Sequence, residues 1–385
     1  PETIASIEGV RLVIGSEEKM RITDYLAQAF TQNTPLIIHP KISKDTFTAP
    51  VIPNSLAFLA KNQDKQIKTV ERDSVSTNSE LQYPDASLTR EKTRASLKIQ
   101  DGCDFMCSFC IIPFARGRSR HRDFSNLQEE ARMLVQEGAQ EIVITGVNVG
   151  TYKTRELTIV DVVDFLNTLP GLARIRISSI EPTTVPETLF QYMSDPQHKL
   201  VPFLHLPLQS GSDAVLQKMK RCYSAAEYAD EIQMAFETVP DLCIGTDLMV
   251  GFPEESEAEF ESTLKLLEKL PLAYFHVFPF SARKGTPAFK KKEQVPPPIK
   301  LLRGKKLRSL SSKKRRDFHQ RFLGQTRKVL WESRKPDGTI SGYTDNYIRV
   351  DLDDTTGSVL RNQILPTRLT RLLAQSMAGK IILDA

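Results

Sequence analysis

Residues Gln100–Arg122, QDGCDFMCSFCIIPFARGRSRHR, decide how the rest of the chain is read. Cys103, Cys107 and Cys110 form a C-x3-C-x2-C run in a chain of 385 residues with only five cysteines. Structural zinc takes four ligands, commonly as two separated pairs, so only His121 is at hand to complete a set. A disulfide requires an oxidising compartment, and no secretory feature marks this chain. Thiolates hold iron–sulfur cubes, normally one per iron. Three thiolates therefore predict a cube with one iron open to an outside ligand.

Phe109 before the last cysteine makes the run resemble the signature of the radical S-adenosylmethionine (SAM) superfamily. The continuation IIPFARGRSRHR resembles its methylthiotransferase branch. That resemblance implies a 4Fe-4S cluster whose open iron is chelated by the amino and carboxylate groups of SAM. An electron from the cluster then cleaves the sulfonium and yields a 5′-deoxyadenosyl radical. The cofactors carry the hard chemistry while the protein orients them and excludes side reactions.

The length suits two or three domains with a sizeable core. No apolar run is long enough to span a bilayer, and no signal-peptide pattern opens the chain. Clustered cysteines in an otherwise cysteine-poor chain fit a reducing cytosol, so the expected location is cytoplasmic, without membrane contact. The net charge of +5 conceals an asymmetry: residues 290–385 carry +13 and residues 1–289 carry −8. A basic tail on an acidic body suggests a polyanionic partner, although a solvated basic surface has the same composition.

From Arg94 to Phe278, six strand-like runs (ASLKIQ, EIVITG, RIRISS, FLHLPL, CIGTDLMVG, YFHVFPF) alternate with helical stretches at 126–137, 159–169, 185–193, 225–238 and 257–270. Repeated β–α units predict a parallel sheet with right-handed crossovers. Six units fall two short of a closed eightfold barrel, as in the open (β/α)6 partial TIM barrel that the resemblance implies. Ligands of such folds collect at the C-terminal strand ends, and the cysteine loop directly follows the first strand. The resemblance assigns SAM contacts to the other strand ends: Phe109 in the loop, Gly146 and Asn148, Ser179 and Glu181, Gln209, and Asp247. Read alone, each is an ordinary βα turn or a helix-start charge. His205 and His276 read as core histidines satisfied by backbone groups. Cys222 and Cys243 read as buried small hydrophobes.

Four alternate arginines, Arg116, Arg118, Arg120 and Arg122, follow the cysteines. They suit either a solvated hairpin face or, at the mouth of the site that the resemblance implies, the substrate's phosphates or the carboxylate of SAM. Residues 290–322 begin KKKEQVPPP and continue as a basic helix carrying Lys305, Lys306, Lys313, Lys314, Arg315 and Arg316, with Leu301, Leu302, Leu307 and Leu310 on it. Such a helix can bridge two domains and hold a nucleic-acid backbone, or only pack the domains. Residues 323–385 read as short strands with turns, including PDGT, and resemble a TRAM domain, a small RNA-binding β-barrel. Tyr343 and Tyr347, taken as surface aromatics in basic surroundings, suit stacking on bases.

Residues 1–30 read as helix, strand, helix, an α/β remnant of the family's N-terminal domain. Residues 31–92 read as a connector, 93–289 as the radical SAM core. The family's N-terminal domain carries three further cysteines for a second 4Fe-4S cluster; this sequence has only the first set, and complete sulfur insertion by these residues alone is not expected.

The segments IIPFARGRSRHR, RISSIEP, LQSGSD, GTDLMVGFPEE and HVFPFSARKGTPA most resemble the MtaB-type branch. It implies methylthiolation at C2 of N6-threonylcarbamoyladenosine, next to the anticodon of tRNA, with SAM used twice, a reducing electron donor and a sulfur source. The alternatives are isopentenyladenosine or a ribosomal-protein aspartate as target. Outside the class, the alternative is a catalytically incomplete RNA-binding module.

Overall fold

A computed structural model describes residues 1–43, 46–51, 93–332, 338–352 and 360–382. Most of the connector, and the start of the PDGT turn, lie outside these residues. Six strands build the central sheet: β1 (Arg94–Lys98), β2 (Glu141–Thr145), β3 (Arg174–Ile177), β4 (Phe203–His205), β5 (Cys243–Val250) and β6 (Tyr274–Pro279). They pair in parallel as β1–β2–β3 and β4–β5–β6. Hydrogen bonds from Ile175 N to Lys199 O (2.8 Å) and from Val201 N to Ile175 O (3.0 Å) join the halves. Among the described residues no pairing links β1 to β6, so the sheet curls without closing. This is the expected partial barrel.

Runs such as EIVIT and RIRI form strands because β-branched side chains suit a pleat covered on both faces. Helices α1 (Phe124–Gln136), α2 (Ile159–Thr168), α3 (Thr188–Ser194), α4 (Ala225–Thr238) and α5 (Glu257–Lys269) cover the outside. Three begin in reciprocal capping boxes, Thr158 with Asp161, Ser224 with Glu227, and Ser256 with Glu259. Each box satisfies backbone donors that the first turn leaves free. α3 starts later than the sequence suggests because Pro186 holds Val185 extended. No helix of the described residues is long and apolar enough to cross a membrane.

Near the N-terminus, Leu12–Ile14 pairs in parallel with Leu36–Ile38, at the head of the stretch read as connector. The basic segment forms one long helix, α6 (Pro297–Gln320). Leu307 is buried on it and Leu310 partly so, whereas Leu301 and Leu302 face solvent. Beyond it, β7 (Thr326–Trp331), β8 (Ser341–Thr344), β9 (Arg349–Leu352), β10 (Ile364–Leu372) and β11 (Met377–Ile381) close a small barrel in the order β7–β8–β9–β11–β10. This agrees with a TRAM-like module. Its core of Val329, Trp331, Val350 and Met377 is continuous with Phe203, Cys243 and Tyr274, so the two barrels share apolar packing.

Two buried arginines of β3 fix that junction. Arg176 forms a two-pronged pair with Glu141 (2.7 and 3.2 Å) and donates to Asp345 O (2.9 Å). Arg174 donates to Tyr343 O (2.9 Å) and Lys328 O (2.6 Å). Burial acts to raise the Glu141 pKa, but Arg176, Arg174 and Arg94 hold it below the usual carboxylate value. Removing one partner strands the other charge in the interior, so Arg176→Ala should cost about 3–5 kcal/mol. The urea midpoint should fall accordingly, and an unchanged midpoint would contradict this account of the junction.

Candidate functional site

The thiol loop leaves and re-enters the barrel rim through a two-residue antiparallel pairing, Gln100–Asp101 with Arg120–His121. Gly102 needs its φ of +73°, since a Cβ there would lie 2.1 Å from Arg118 O. Ser108 pins the loop from within: its N–H donates to Met219 O (2.9 Å) and its hydroxyl to Lys218 O (2.7 Å). Phe109 packs beside Val215, Met219, Phe252, Phe280 and Ala288. Asp101 anchors the base, accepting from Lys19 (2.7 Å) and pairing with Lys98 (3.0 Å). Burial opposes its charge, yet those two ammonium groups hold its pKa at about 2.

The three thiols are free, with Cys107 buried and Cys103 and Cys110 half-buried. Burial pushes the Cys103 thiol up to about 11 and raises Cys107 as well, so both stay protonated without a cation to hold. Zinc with bonds of about 2.3 Å would draw thiolates to within about 4 Å of one another. Among the described residues only His205, Asp247 and His276 bring three ligand atoms within 4.8 Å; the cysteines are more widely spread. A cluster presents several irons across a larger span, so the donor set fits a cube better than a single ion. His121 offers no fourth ligand that close, and its ring rests edge-on against Tyr152.

A polar chain leads away from the thiols. Arg221 donates to Cys107 Sγ (3.3 Å), Tyr223 (3.1 Å) and Glu181. Thr184 bridges onward, from Glu181 O (2.9 Å) to Asn148 Oδ1 (3.1 Å). Asn148 is buried and its Nδ2 lacks a partner, leaving a donor suited to a polar ligand. Glu181 and Asn148 are thus joined to Cys107 only through Thr184 and Arg221, the latter an arginine that nothing in the sequence singled out. Gln100, fully buried, is a second unforeseen residue. Its Oε1 accepts from Val147 N (2.8 Å) and Asn148 N (2.9 Å), and its Nε2 donates to Gly102 O (2.9 Å). Gly146 gives it room, since a Cβ there would lie 3.0 Å from Gln100 Cβ. Gln209 (φ +71°) binds β5 through its backbone, donating to Asp247 O (2.8 Å).

Behind these groups lies a cavity of about 560 Å³ between the sheet interior and the small barrel. Ser179 and Asp247 line it, with four arginines (94, 176, 315 and 349) and three histidines (205, 276 and 319). His205 Nε2 and His276 Nδ1 approach Asp247 Oδ1 at 3.1 and 3.3 Å, too poorly aligned to satisfy that buried oxygen. Burial acts to raise the Asp247 pKa, but the imidazoles hold it well below the carboxylate range. The reading of these histidines as backbone-satisfied core residues is thereby corrected. Gly245 leaves space for the rings of Tyr274 and His205, which a Cβ would meet at 2.4 and 2.9 Å.

Several other expectations are also revised. Tyr343 and Tyr347 are not on an open surface. They stack on each other at 5.0 Å, under the guanidinium groups of Arg94 and Arg176, and line the cavity. Arg122 is 1% exposed and held by Glu130 and Asn126, which removes it from any RNA contact, and Arg120 is buried against Glu17. Arg116 and Arg118 remain exposed at the rim. On α6, Lys314 donates to Leu270 O (2.7 Å) at the end of α5, and Lys306 pairs with Glu261 (3.3 Å). Lys305, Lys313 and Arg316 face solvent, and Arg315 faces the cavity. Cys222 is exposed, contrary to expectation, whereas Cys243 is buried.

Comparison with known proteins agrees with this geometry. The sequence profile of the Radical SAM superfamily matches residues 97–267. The threonylcarbamoyladenosine tRNA methylthiotransferase MtaB of Bacillus subtilis is 31% identical over 95% of this chain and 76% of its own length. The protein of the same name in Chlamydia pneumoniae is 36% identical over 76% of this chain and 68% of its own. The tRNA-2-methylthio-N(6)-dimethylallyladenosine synthase of Ehrlichia chaffeensis is 31% identical over 85% of this chain and 75% of its own. Anaerobic reconstitution should load one 4Fe-4S cluster. Cys107→Ala should reduce bound iron and sulfide to background while Cys222→Ala leaves both unchanged. Full iron retention in Cys107→Ala would exclude this site.

Proposed function

The chain belongs to the radical SAM methylthiotransferases, and from that premise we propose that it methylthiolates C2 of N6-threonylcarbamoyladenosine beside the anticodon of tRNA. It is a transferase with a 4Fe-4S cluster and SAM as cofactors. When bound, these supply the radical that an unactivated aromatic C–H requires, because such a bond offers a base no acidity to exploit. The chain's own part is positional. Cys103, Cys107 and Cys110 would hold the cluster, the Asn148 amide offers SAM an unpaired donor, and the cavity receives the base.

The observation that supports this nucleoside is the lining of the cavity. Four guanidinium groups and three imidazoles stand against the single carboxylate of Asp247. A dimethylallyl substituent is a branched hydrocarbon with nothing to offer the lining groups that lack a hydrogen-bond partner among the described residues, the Arg315 guanidinium and the Asp247 Oδ1 atom. A threonylcarbamoyl substituent carries a carboxylate, a hydroxyl and amide groups to meet them. Sites built from buried polar groups reject analogues that cannot pair with them far more strongly than apolar pockets do.

Two measurements test this reading. Nucleoside mass spectrometry of tRNA from cells lacking the gene should show threonylcarbamoyladenosine without its 2-methylthio group; loss of the group from dimethylallyladenosine instead would refute it. Exposed basic residues on α6 should bind the RNA backbone, so replacing Lys305, Lys313 and Arg316 together by Ala should lower tRNA affinity. It should also reduce the slope of log affinity against log salt by about 2–3. An unchanged slope would remove α6 from the RNA interface.

A further inference from the structure

The cations of the cavity are not equally available. Arg176 is committed to Glu141 and to carbonyls of the small barrel. Arg94 pairs with Glu332 (3.2 Å), and Arg349 with Asp351 (3.2 Å). His205 and His276 lean on Asp247. Burial, reinforced by Arg315, lowers His319 to about 4, leaving it neutral near pH 7. Arg315 is different: it is half-buried, and no ion pair holds it among the described residues. Its guanidinium lies 5.3 Å from the ring centre of Tyr274, which in turn lies 5.3 Å from the ring of His276. Burial keeps the Tyr274 phenol neutral, so it supplies no counter-charge.

A planar guanidinium with its fork of donors, half-withdrawn from water and without a carboxylate, is suited to an incoming anion. The cavity volume falls within the roughly 300–1,000 Å³ of small-ligand sites. Its apolar neighbours, Phe318 from α6 and Phe203 and Ala273 from the sheet, narrow the wall beside that charge. We propose that Arg315 pairs with the carboxylate of the substituent on the target base, making α6 the element that selects an anionic N6 group. The proposal rests on the nucleoside reading above and adds the residue that enforces it. It also separates Arg315 from Lys305, Lys313 and Arg316 on the same helix, which face solvent and suit backbone phosphates.

The test measures binding to the cluster-reconstituted chain by competition fluorescence anisotropy. Three anticodon stem-loop RNAs serve as probes, with threonylcarbamoyladenosine, the same nucleoside with its carboxylate converted to the neutral amide, or dimethylallyladenosine. The unaltered chain should prefer the carboxylate over the amide by about tenfold. Arg315→Gln should abolish that preference while binding the amide RNA as the unaltered chain does. Arg315→Lys should retain part of it, because an ammonium keeps the charge but lacks the fork. Thermal melting by circular dichroism confirms that each variant is folded. An undiminished carboxylate preference in folded Arg315→Gln would overturn the Arg315 assignment alone. Tighter binding of the dimethylallyl RNA by the unaltered chain would overturn the nucleoside reading itself.

Discussion

The guanidinium of Arg176 meets the Glu141 carboxylate inside the sheet, and the remaining arms of Arg174 and Arg176 reach carbonyls of the small barrel. Much else depends on that arrangement. Charges this deep are tolerable only when paired in good geometry with their remaining donors satisfied. The carbonyls at Lys328, Tyr343, Thr344 and Asp345 complete the set, so the C-terminal barrel is part of the solution to a problem posed by β3. Docked in this way, it brings Tyr343, Tyr347 and Arg349 to the wall of the cavity. A module that resembles an RNA-binding appendage is thereby also part of the pocket.

At the other end of the strands, the thiol loop is tied down by few groups. Gln100 bonds both to the loop's own backbone and to the turn carrying Asn148, so the thiols and the unpaired amide share one support. Arg221 ties Cys107 to Glu181 and, through Thr184, to Asn148. Ser179, just past the end of β3, and Asp247, midway along β5, line the cavity.

The sequence is most informative where chemistry is local. Three cysteines in eight residues and β-branched runs at regular spacing each act within a few positions, and the strands and helices expected between Arg94 and Phe278 are present. It is least informative where residues meet only through the fold. Arg221 is one base in an unpatterned loop, and Gln100 is one amide at a strand end. His205, Asp247 and His276 come from three strands that become neighbours only when the sheet pairs. Alternation suggested one face for Arg116, Arg118, Arg120 and Arg122. The carboxylates that bury the last two come from Glu17 and Glu130, one of them about a hundred residues away. The tyrosines misled for the same reason, since a strand pattern does not say which face another domain will cover.

The central claim is that three thiols hold a cluster whose remaining iron is open toward a polar ligand site. The most direct measurement is the electron paramagnetic resonance spectrum of the reduced, reconstituted chain with and without SAM. A shift in the spectrum when SAM is added, lost in Asn148→Leu at SAM concentrations that saturate the unaltered chain, is the result this account predicts. A reduced cluster whose spectrum is identical with and without SAM would contradict it.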